Sequence, residues 1–210
     1  TAIAEDEAMR GRDHPDSLEK LNTLGMLMNR RGDAGAEALL LRVHGVRQKF
    51  DPQGYYTAMS GNNLATHYLD NERFAEAVPL LEEANRLLLQ LRPAGDPMAV
   101  NLGINLAIAR VKSGGSPVTA LDPARRGYAA QQARLDRLGG SPAADAERGR
   151  GVLLLRGASH VFADTAWLAA ESEARSLAPL RAEAFIANQN IILGSVNAAI
   201  QRQAARKLAA

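Results

Sequence analysis

The stretch that decides the fold runs from Asn62-Asn63-Leu64-Ala65 to Ala77-Val78-Pro79-Leu80-Leu81. Weaker copies of it occur upstream, at Leu21-Asn22-Thr23-Leu24-Gly25, and downstream, at Asn105-Leu106-Ala107. Leu24 and Leu64 are 40 residues apart, and Leu64 and Leu106 are 42 residues apart. A nearly constant period with drifting residue identity is typical of stacked helical pairs, because every pair must repeat the same packing. The sequence therefore predicts a helical repeat array.

Each copy contains two apolar stripes with helical spacing. The first stripe is Leu64, Ala65 and Tyr68, and it ends at the polar stretch Asp70-Asn71-Glu72. The second stripe follows that break at Ala77, Leu80, Leu81 and Ala84. Neither helix could bury its stripe alone, so we expect the two helices of a copy to pack against each other.

A small residue occupies the second stripe position in all three copies, as Gly25, Ala65 and Ala107. Helix axes approach to about 8 Å only where the side chains between them are small. We therefore expect close helix crossings at these positions. Arg110 departs from the pattern, because the equivalent positions carry Met28 and Tyr68, and it puts the regularity of the third pair in doubt.

Turn residues and prolines divide the chain into four helical pairs. Breaks within the pairs are expected near Gly32, Asn71, Gly114 and Asp164. The predicted helices span about 15–30, 34–49, 53–70, 74–91, 97–112, 117–137, 143–162 and 165–177. Trp167, the only tryptophan, is expected to fill the core of the fourth pair, and no segment has a convincing strand pattern.

The order of these residues resembles the tetratricopeptide repeat. Its first helix reads Leu, then Ala or Gly, then a large residue, and its second helix begins with Ala and ends its stripe with a Leu-Leu pair. The longer period and the entry words His14-Pro15-Asp16-Ser17 and Gly95-Asp96-Pro97 are similar to the subtype of kinesin light chains, whose repeats are about 42 residues long. The resemblance implies an all-α, right-handed superhelical solenoid of antiparallel helix pairs over residues 1–180.

Residues 181–210 have a different pattern and are predicted to form a longer C-terminal helix or connector. An apolar stripe runs along Phe185, Ile192, Val196, Ala199, Ile200 and Leu208. Words such as Ala184-Phe185, Gly194-Ser195 and Ala204-Ala205-Arg206 resemble the connector that precedes a C-terminal CHAT domain in bacterial proteins. CHAT domains are caspase-like peptidases. Because the chain begins at Thr1 and not at Met, we expect it to be a piece of a longer bacterial protein.

Composition excludes several classes of function. Lys and Arg number 25 against 23 Asp and Glu, a net charge of +2 without a clustered basic stripe, so we do not expect a nucleic-acid partner. There is no cysteine among these 210 residues, so a disulfide, a thiolate metal site and a cysteine nucleophile are excluded within them. No apolar run approaches the roughly 18 residues of a membrane helix. We predict a cytoplasmic location.

The candidate binding residues follow from the resemblance, which implies that the residue before the first stripe leucine faces a peptide-binding groove. Those residues are Thr23, Asn63 and Asn105. An Asn amide can both donate to and accept from a peptide backbone. Thr66, Arg30, Asp70 and Lys112 are expected at the rim of the same groove. The alternative is that Asn63 and Asn105 only bond neighbouring helices.

No catalytic or metal constellation emerges. The histidines at 14, 44, 67 and 160 are scattered; His44 and His67 are interpreted as helix-surface or groove residues, and His160 with Asp164 as a structural pair in preference to two metal ligands. The predicted function is a non-enzymatic module, without a cofactor, that binds a protein or peptide, including its own C-terminal domain, and serves a larger protein as a regulatory part. The alternative is an integral helical part of a CHAT peptidase whose His and Cys lie beyond Ala210.

Overall fold

The computed structural model describes residues 5, 8–92, 96–137, 142–172 and 178–189, and the side chains of 97, 142–150 and 152–154 lie outside this description. Within these residues the chain is helical with short turns and contains no strand, which confirms the all-α prediction. The helices after a short helical segment at 8–10 are α1 (Pro15–Arg31), α2 (Ala36–Phe50), α3 (Tyr55–Asp70), α4 (Phe74–Leu91), α5 (Pro97–Lys112), α6 (Pro117–Asp136), α7 (Pro142–Ser172) and α8 (178–189).

The chain forms two compact units, Thr1–Pro93 and Ala94–Ala210. In the first unit each of α1 to α4 packs against the next, and α1 also contacts α3. In the second unit α5 packs against α6 and α6 against α7. The predicted bounds of the first six helices are correct to within two residues. The predicted boundary near residue 180 stays a prediction.

The core of the first unit includes most of the predicted stripes, together with Leu40, Val43, Leu87 and Leu88. Leu64 and Ala65 are 2% and 0% exposed, and Tyr68 is also buried. On α4, Ala77, Leu81 and Ala84 are buried, while Leu80 is half-buried. Burying one leucine side chain stabilises a protein by about 1.5–3 kcal/mol, so these stripes hold α3 and α4 together.

Gly25 marks the close crossing of α1 and α2. A Cβ atom at this position would lie 2.9 Å from Cδ2 of Leu40, which is itself 1% exposed. Real Cβ atoms do not come so close to a carbon neighbour, so only glycine fits without a shift of the core. The prediction that small residues permit close crossings is thereby confirmed at Gly25, and Ala65 and Ala107 are each 0% exposed.

Local signals define the ends of α1. His14 precedes the helix and its Nδ1 atom accepts a hydrogen bond from the Asp16 amide, while Pro15 occupies the first turn, where a missing N–H costs nothing. At the other end, Gly32 adopts a φ of 75°, and the amides of Gly32 and Asp33 bond to the carbonyls of Asn29 and Met28. This is the left-handed termination that glycine permits.

In the second unit, Val100, Leu102 and Leu106 are buried on α5, and a further buried cluster is built from small and aromatic residues. Its buried members are Ala107 on α5, Ala120, Ala124 and Tyr128 on α6, Ala158, Phe162, Ala163 and Ala166 on α7, and Ala184 and Ala187 on α8. The Tyr128 and Phe162 rings stack with centroids 5.5 Å apart. A Cβ atom on Gly103 would lie 2.6 Å from the Pro123 carbonyl oxygen. Backbones therefore approach closely here too.

Two predictions for the fourth pair are wrong. Helix α7 is continuous from Pro142 to Ser172, with no break at Asp164, because Asp164 is exposed and its neighbours Ala163 and Ala166 favour the helix. Trp167 does not fill the core: it is 48% exposed and donates to Glu171 through Nε1 at 2.8 Å. Alanines occupy the buried face in its place.

The predicted C-terminal stripe is wrong at its first residue. Phe185 is 63% exposed, whereas Ala184 and Ala187 are buried, so α8 packs through its alanines. The remainder of the stripe, from Ile192 to Leu208, and the connector words after Ala184-Phe185 lie outside the described residues.

Candidate functional site

The outward side of α1 and α3 forms one surface of residues that the core does not bury. Successive members on α3 are three or four residues apart, which is the spacing of a single helix face. They are Tyr56, Met59, Asn63, Thr66 and Asp70 on α3, beside Thr23, Leu27 and Arg30 on α1. We call this surface the α1/α3 face.

Two hydrogen bonds join the helices of the α1/α3 face side by side. Asn63 Nδ2 donates to Asn22 Oδ1 at 3.1 Å, and Asn29 Nδ2 donates to Asp70 Oδ2 at 2.6 Å. The partners in both bonds are 41 residues apart, so α1 and α3 run in the same direction and are offset by one repeat. This register brings five of the predicted residues to one surface.

Asn63 has both a structural bond and a remaining polar atom. Its bond to Asn22, which is 7% exposed, is the contact with a neighbouring helix that the structural interpretation of Asn63 expects. In the described part of the chain, however, nothing donates to Asn63 Oδ1. The half-buried amide can still accept one hydrogen bond and donate a second, so its role in binding stays a prediction.

The other predicted residues of the first unit differ in their contacts. Thr23 and Arg30 are exposed and have no hydrogen-bond or ion-pair partner among the described residues. Thr66 is half-buried, and its hydroxyl donates to the Asn62 carbonyl at 2.8 Å. Asp70 is exposed and accepts from Asn29. Arg30 therefore offers an uncompensated cation, and Thr23 an unoccupied hydroxyl.

Asn105 and Lys112 are not part of the α1/α3 face. Both lie on α5, in the second unit, where Asn105 is half-buried and Lys112 is exposed near the end of the helix. Their predicted role in binding stays a prediction for the second unit.

A polar network closes one end of the α1/α3 face. The Nδ1 atom of His67 is 2.6 Å from Asn29 Oδ1, and its Nε2 atom is 3.7 Å from Glu37 Oε2. Arg73 donates to the same Glu37 oxygen at 2.8 Å. These residues and Asp70 line a cleft of about 340 Å³ beside the turn at Gly32. The network thereby links α1, α2 and α3 with the start of α4.

Charges in this network compensate one another. Arg73 forms a bidentate pair with Glu76 and lies 4.3 Å from the centroid of the Tyr68 ring. The hydrogen bond from Arg73 holds the pKa of Glu37 below its ordinary value, and the carboxylates of Glu76 and Glu37 raise the pKa of Arg73. Burial raises the pKa of Tyr68. Glu37 and Arg73 are thus favoured in their ionised forms and Tyr68 in its neutral form. We interpret the network as a set of contacts that holds the helix ends in position.

Sequence reasoning missed this network and the apolar members of the face. His67 was expected at the helix surface or in a groove, but its side chain is only 12% exposed. The 41-residue offset between Asn29 and Asp70 was a usable signal, since it equals the repeat period. Leu27 and Tyr56, which are 51% and 53% exposed, lie outside the buried stripes and had no signal of their own.

Chemistry that needs a metal finds no support in the described part of the chain, where His, Asp and Glu side chains form no group of three able to hold an ion. His160 and Asp164 are both exposed on α7. None of the described helices offers a stretch that is apolar enough, over sufficient length, for a bilayer crossing.

Comparisons with known proteins identify the fold. No family model matches the chain, and no curated protein matches it in sequence. Among the solved structures, one similar chain is a Podosopora anserina protein described as a kinesin light chain with nearly identical TPR-like repeats. It is 22% identical, the match covers 93% of this chain and 92% of that chain, and the TM-score is 0.53. The chain therefore has a TPR-like, all-α repeat fold.

Proposed function

We propose that this chain is a binding module for a protein or peptide and that its α1/α3 face contacts the ligand. The observation that supports this most directly is the composition of the face. It combines exposed apolar side chains at Leu27 and Tyr56 with an unpaired cation at Arg30 and a half-open amide at Asn63. Helical repeat folds commonly use such extended surfaces to hold extended or helical segments.

The chemistry of the face indicates how a segment would bind. Asn63 would accept a backbone N–H through Oδ1 and donate its second amide hydrogen to a carbonyl. Leu27 and Tyr56 would cover apolar side chains of the ligand, and Arg30 would pair with a carboxylate. Because Asp70 adds a negative charge to the same face, a ligand with one or two acidic residues fits this surface better than a strongly acidic one.

The same proposal includes a role for the module within a larger bacterial protein, as a regulatory or sensing part whose ligand is a separate protein or its own C-terminal domain. The alternative, an integral helical part of a CHAT peptidase, rests on the connector words after Ala182. A His and a later Cys at strand ends beyond Ala210 would favour the peptidase. Reading the sequence that follows Ala210 in the gene separates the two.

The experiment is a selection of peptides on the purified chain, followed by calorimetry with the strongest binder. Thr23→Arg places a long charged side chain on the α1/α3 face, and we expect it to weaken binding at least about tenfold. Lys49→Ala, on the exposed side of α2, is the matched control and should leave affinity unchanged. Equal affinity of the wild type and Thr23→Arg for every selected peptide would contradict the proposal.

A further inference from the structure

A second cleft, of about 240 Å³, lies between α2, α3 and α4 in the first unit. Its lining is mixed, with the polar or charged side chains of His44, Gln48, Gln53, Thr57 and Glu83 beside Gly61 and the apolar side chains of Pro52, Pro79, Leu80, Ala84 and Leu87. We call it the His44 cleft. It uses α2 and α4, which contribute nothing to the α1/α3 face, and its volume is below the roughly 300–1,000 Å³ of sites for drug-sized ligands. A single side chain would fit it.

Gly61 brings α3 close to the imidazole of His44. A Cβ atom at Gly61 would lie 3.2 Å from His44 Cε1 and 3.7 Å from His44 Nδ1. The 3.2 Å distance to Cε1 is shorter than ordinary van der Waals contact, so a larger residue at position 61 would push the ring out of place. The ring is therefore held against the α3 backbone as one wall of the cleft.

The contact with Ser60 favours one tautomer of His44. The Ser60 hydroxyl donates to the Thr57 carbonyl at 3.0 Å, and its oxygen lies 3.1 Å from His44 Nδ1. With the hydroxyl hydrogen directed at the Thr57 carbonyl, the Ser60 oxygen accepts, and this arrangement favours the tautomer in which Nδ1 carries the hydrogen. Ser60 is 1% exposed, so water does not compete for this bond. The Nε2 atom of the neutral ring is then a hydrogen-bond acceptor.

In the described part of the chain, the His44 ring makes its hydrogen bond through Nδ1, to Ser60. No described residue donates to Nε2. Burial lowers the pKa of His44 below its ordinary value of 6.5, so the ring is neutral at pH 7. The cleft thus combines a neutral imidazole with apolar carbon from Leu80, Ala84 and Leu87.

We infer that the His44 cleft binds an indole, the side chain of a tryptophan on a protein partner, through a hydrogen bond from the indole N–H to His44 Nε2. Indole is a donor without an acceptor, which matches Nε2, and its remaining surface is apolar, which matches the part of the lining formed by Leu80, Ala84 and Leu87. A lysine could also donate, but both carboxylate oxygens of Glu83 in the lining already accept hydrogen bonds from Arg86. A lysine ammonium buried there would have no free counter-charge, which would be costly. Tryptophan anchors in such pockets recur at protein interfaces.

The test uses indole and its isostere 1-benzofuran, which has the same shape but no N–H donor. With nitrogen-labelled protein at neutral pH, NMR should show His44 with the hydrogen on Nδ1, and indole should shift the Nε2 resonance. We expect indole to bind about five- to tenfold more tightly than benzofuran, as one added hydrogen bond implies. A hydrogen on Nε2, equal affinity for the two compounds, or no change at His44 would overturn the inference.

Two variants make the test specific. His44→Phe keeps an aromatic wall and removes the acceptor, so the preference for indole over benzofuran should disappear. Lys49→Ala, on the same helix but outside the cleft, should keep the preference. If His44→Phe does not fold, Ser60→Ala releases the tautomer and should reduce the preference. Binding of indole does not depend on the α1/α3 face, so failure of this inference and failure of the proposed function are distinguishable.

Discussion

The Arg110 guanidinium donates a hydrogen bond to the backbone carbonyl of Thr119. That carbonyl lies four residues before Pro123, which is inside α6 and has no N–H to offer it. Arg110 therefore supplies the donor that the proline removes. The residue that departs from the repeat pattern at the sequence level has a structural role in the third pair, which is a regular pair of helices, α5 and α6.

This relationship predicts coupling between Arg110 and Pro123. Arg110→Met removes the donor of this exposed bond and should lower the free energy of unfolding by about 0.5–1.5 kcal/mol. In a Pro123→Ala background the helix supplies its own N–H, so the same change should cost less. Urea unfolding of the four proteins measures the coupling. An Arg110→Met cost that is identical in both backgrounds would contradict this explanation.

Replacing glycine by alanine should have opposite effects on stability at two positions, one on α1 and one on α2. Gly25→Ala should destabilise the protein, because the new methyl group would lie 2.9 Å from Leu40. Overpacking of this kind costs about 1–3 kcal/mol. Gly45→Ala is the matched control, since no atom lies within 4 Å of its Cβ position, and it should stabilise α2 by about 0.5–1 kcal/mol. Thermal melts of both variants give the two signs; stabilisation by Gly25→Ala would refute the close crossing.

Stability should depend on pH through His44. Because burial lowers its pKa below 6.5, the unfolded chain binds a proton first as pH falls. The contribution is fully present above pH 6.5 and is lost as pH falls through that value toward the folded pKa. His44→Gln cannot titrate, so the wild type should lose more free energy of unfolding than the variant between about pH 7.5 and about pH 5. Parallel pH profiles would show that the ring titrates normally.

Much of the fold could be predicted because its signals are local. The stripe of Leu64, Ala65 and Tyr68 and the small residue at Gly25 each report helical spacing within one or two turns of chain. The continuity of α7 was missed for two reasons. Its alanine-rich sequence does not show which face is buried, and Trp167 was expected in the core although it is exposed. The acceptor at His44 depends on Ser60, which lies on a different helix, and no sequence spacing indicates that contact.

The candidate site was predicted in part for the same reason. Helical rotation placed Thr23 and Asn63 outside the packed stripes, and both lie outside them in the structure. The bonds of Asn63 to Asn22 and of Asp70 to Asn29 depend on how α1 and α3 align. That alignment is decided by the packing of whole helices. The position of a residue in the sequence therefore does not tell whether its side chain bonds a neighbouring helix or remains open to a ligand.

The central claim is that Asn63 contributes to binding as well as to structure, and its partner Asn22 provides the control. Either Asn→Ala change breaks the bond between them, but Asn22 is buried and cannot reach a ligand. The direct measurement is the affinity of a selected peptide for Asn63→Ala and for Asn22→Ala, each with its melting temperature. We predict similar stability losses, with affinity reduced about five- to two-hundredfold, or about 1–3 kcal/mol, only in Asn63→Ala. Equal affinity of the two variants would contradict the claim and leave Asn63 a purely structural residue.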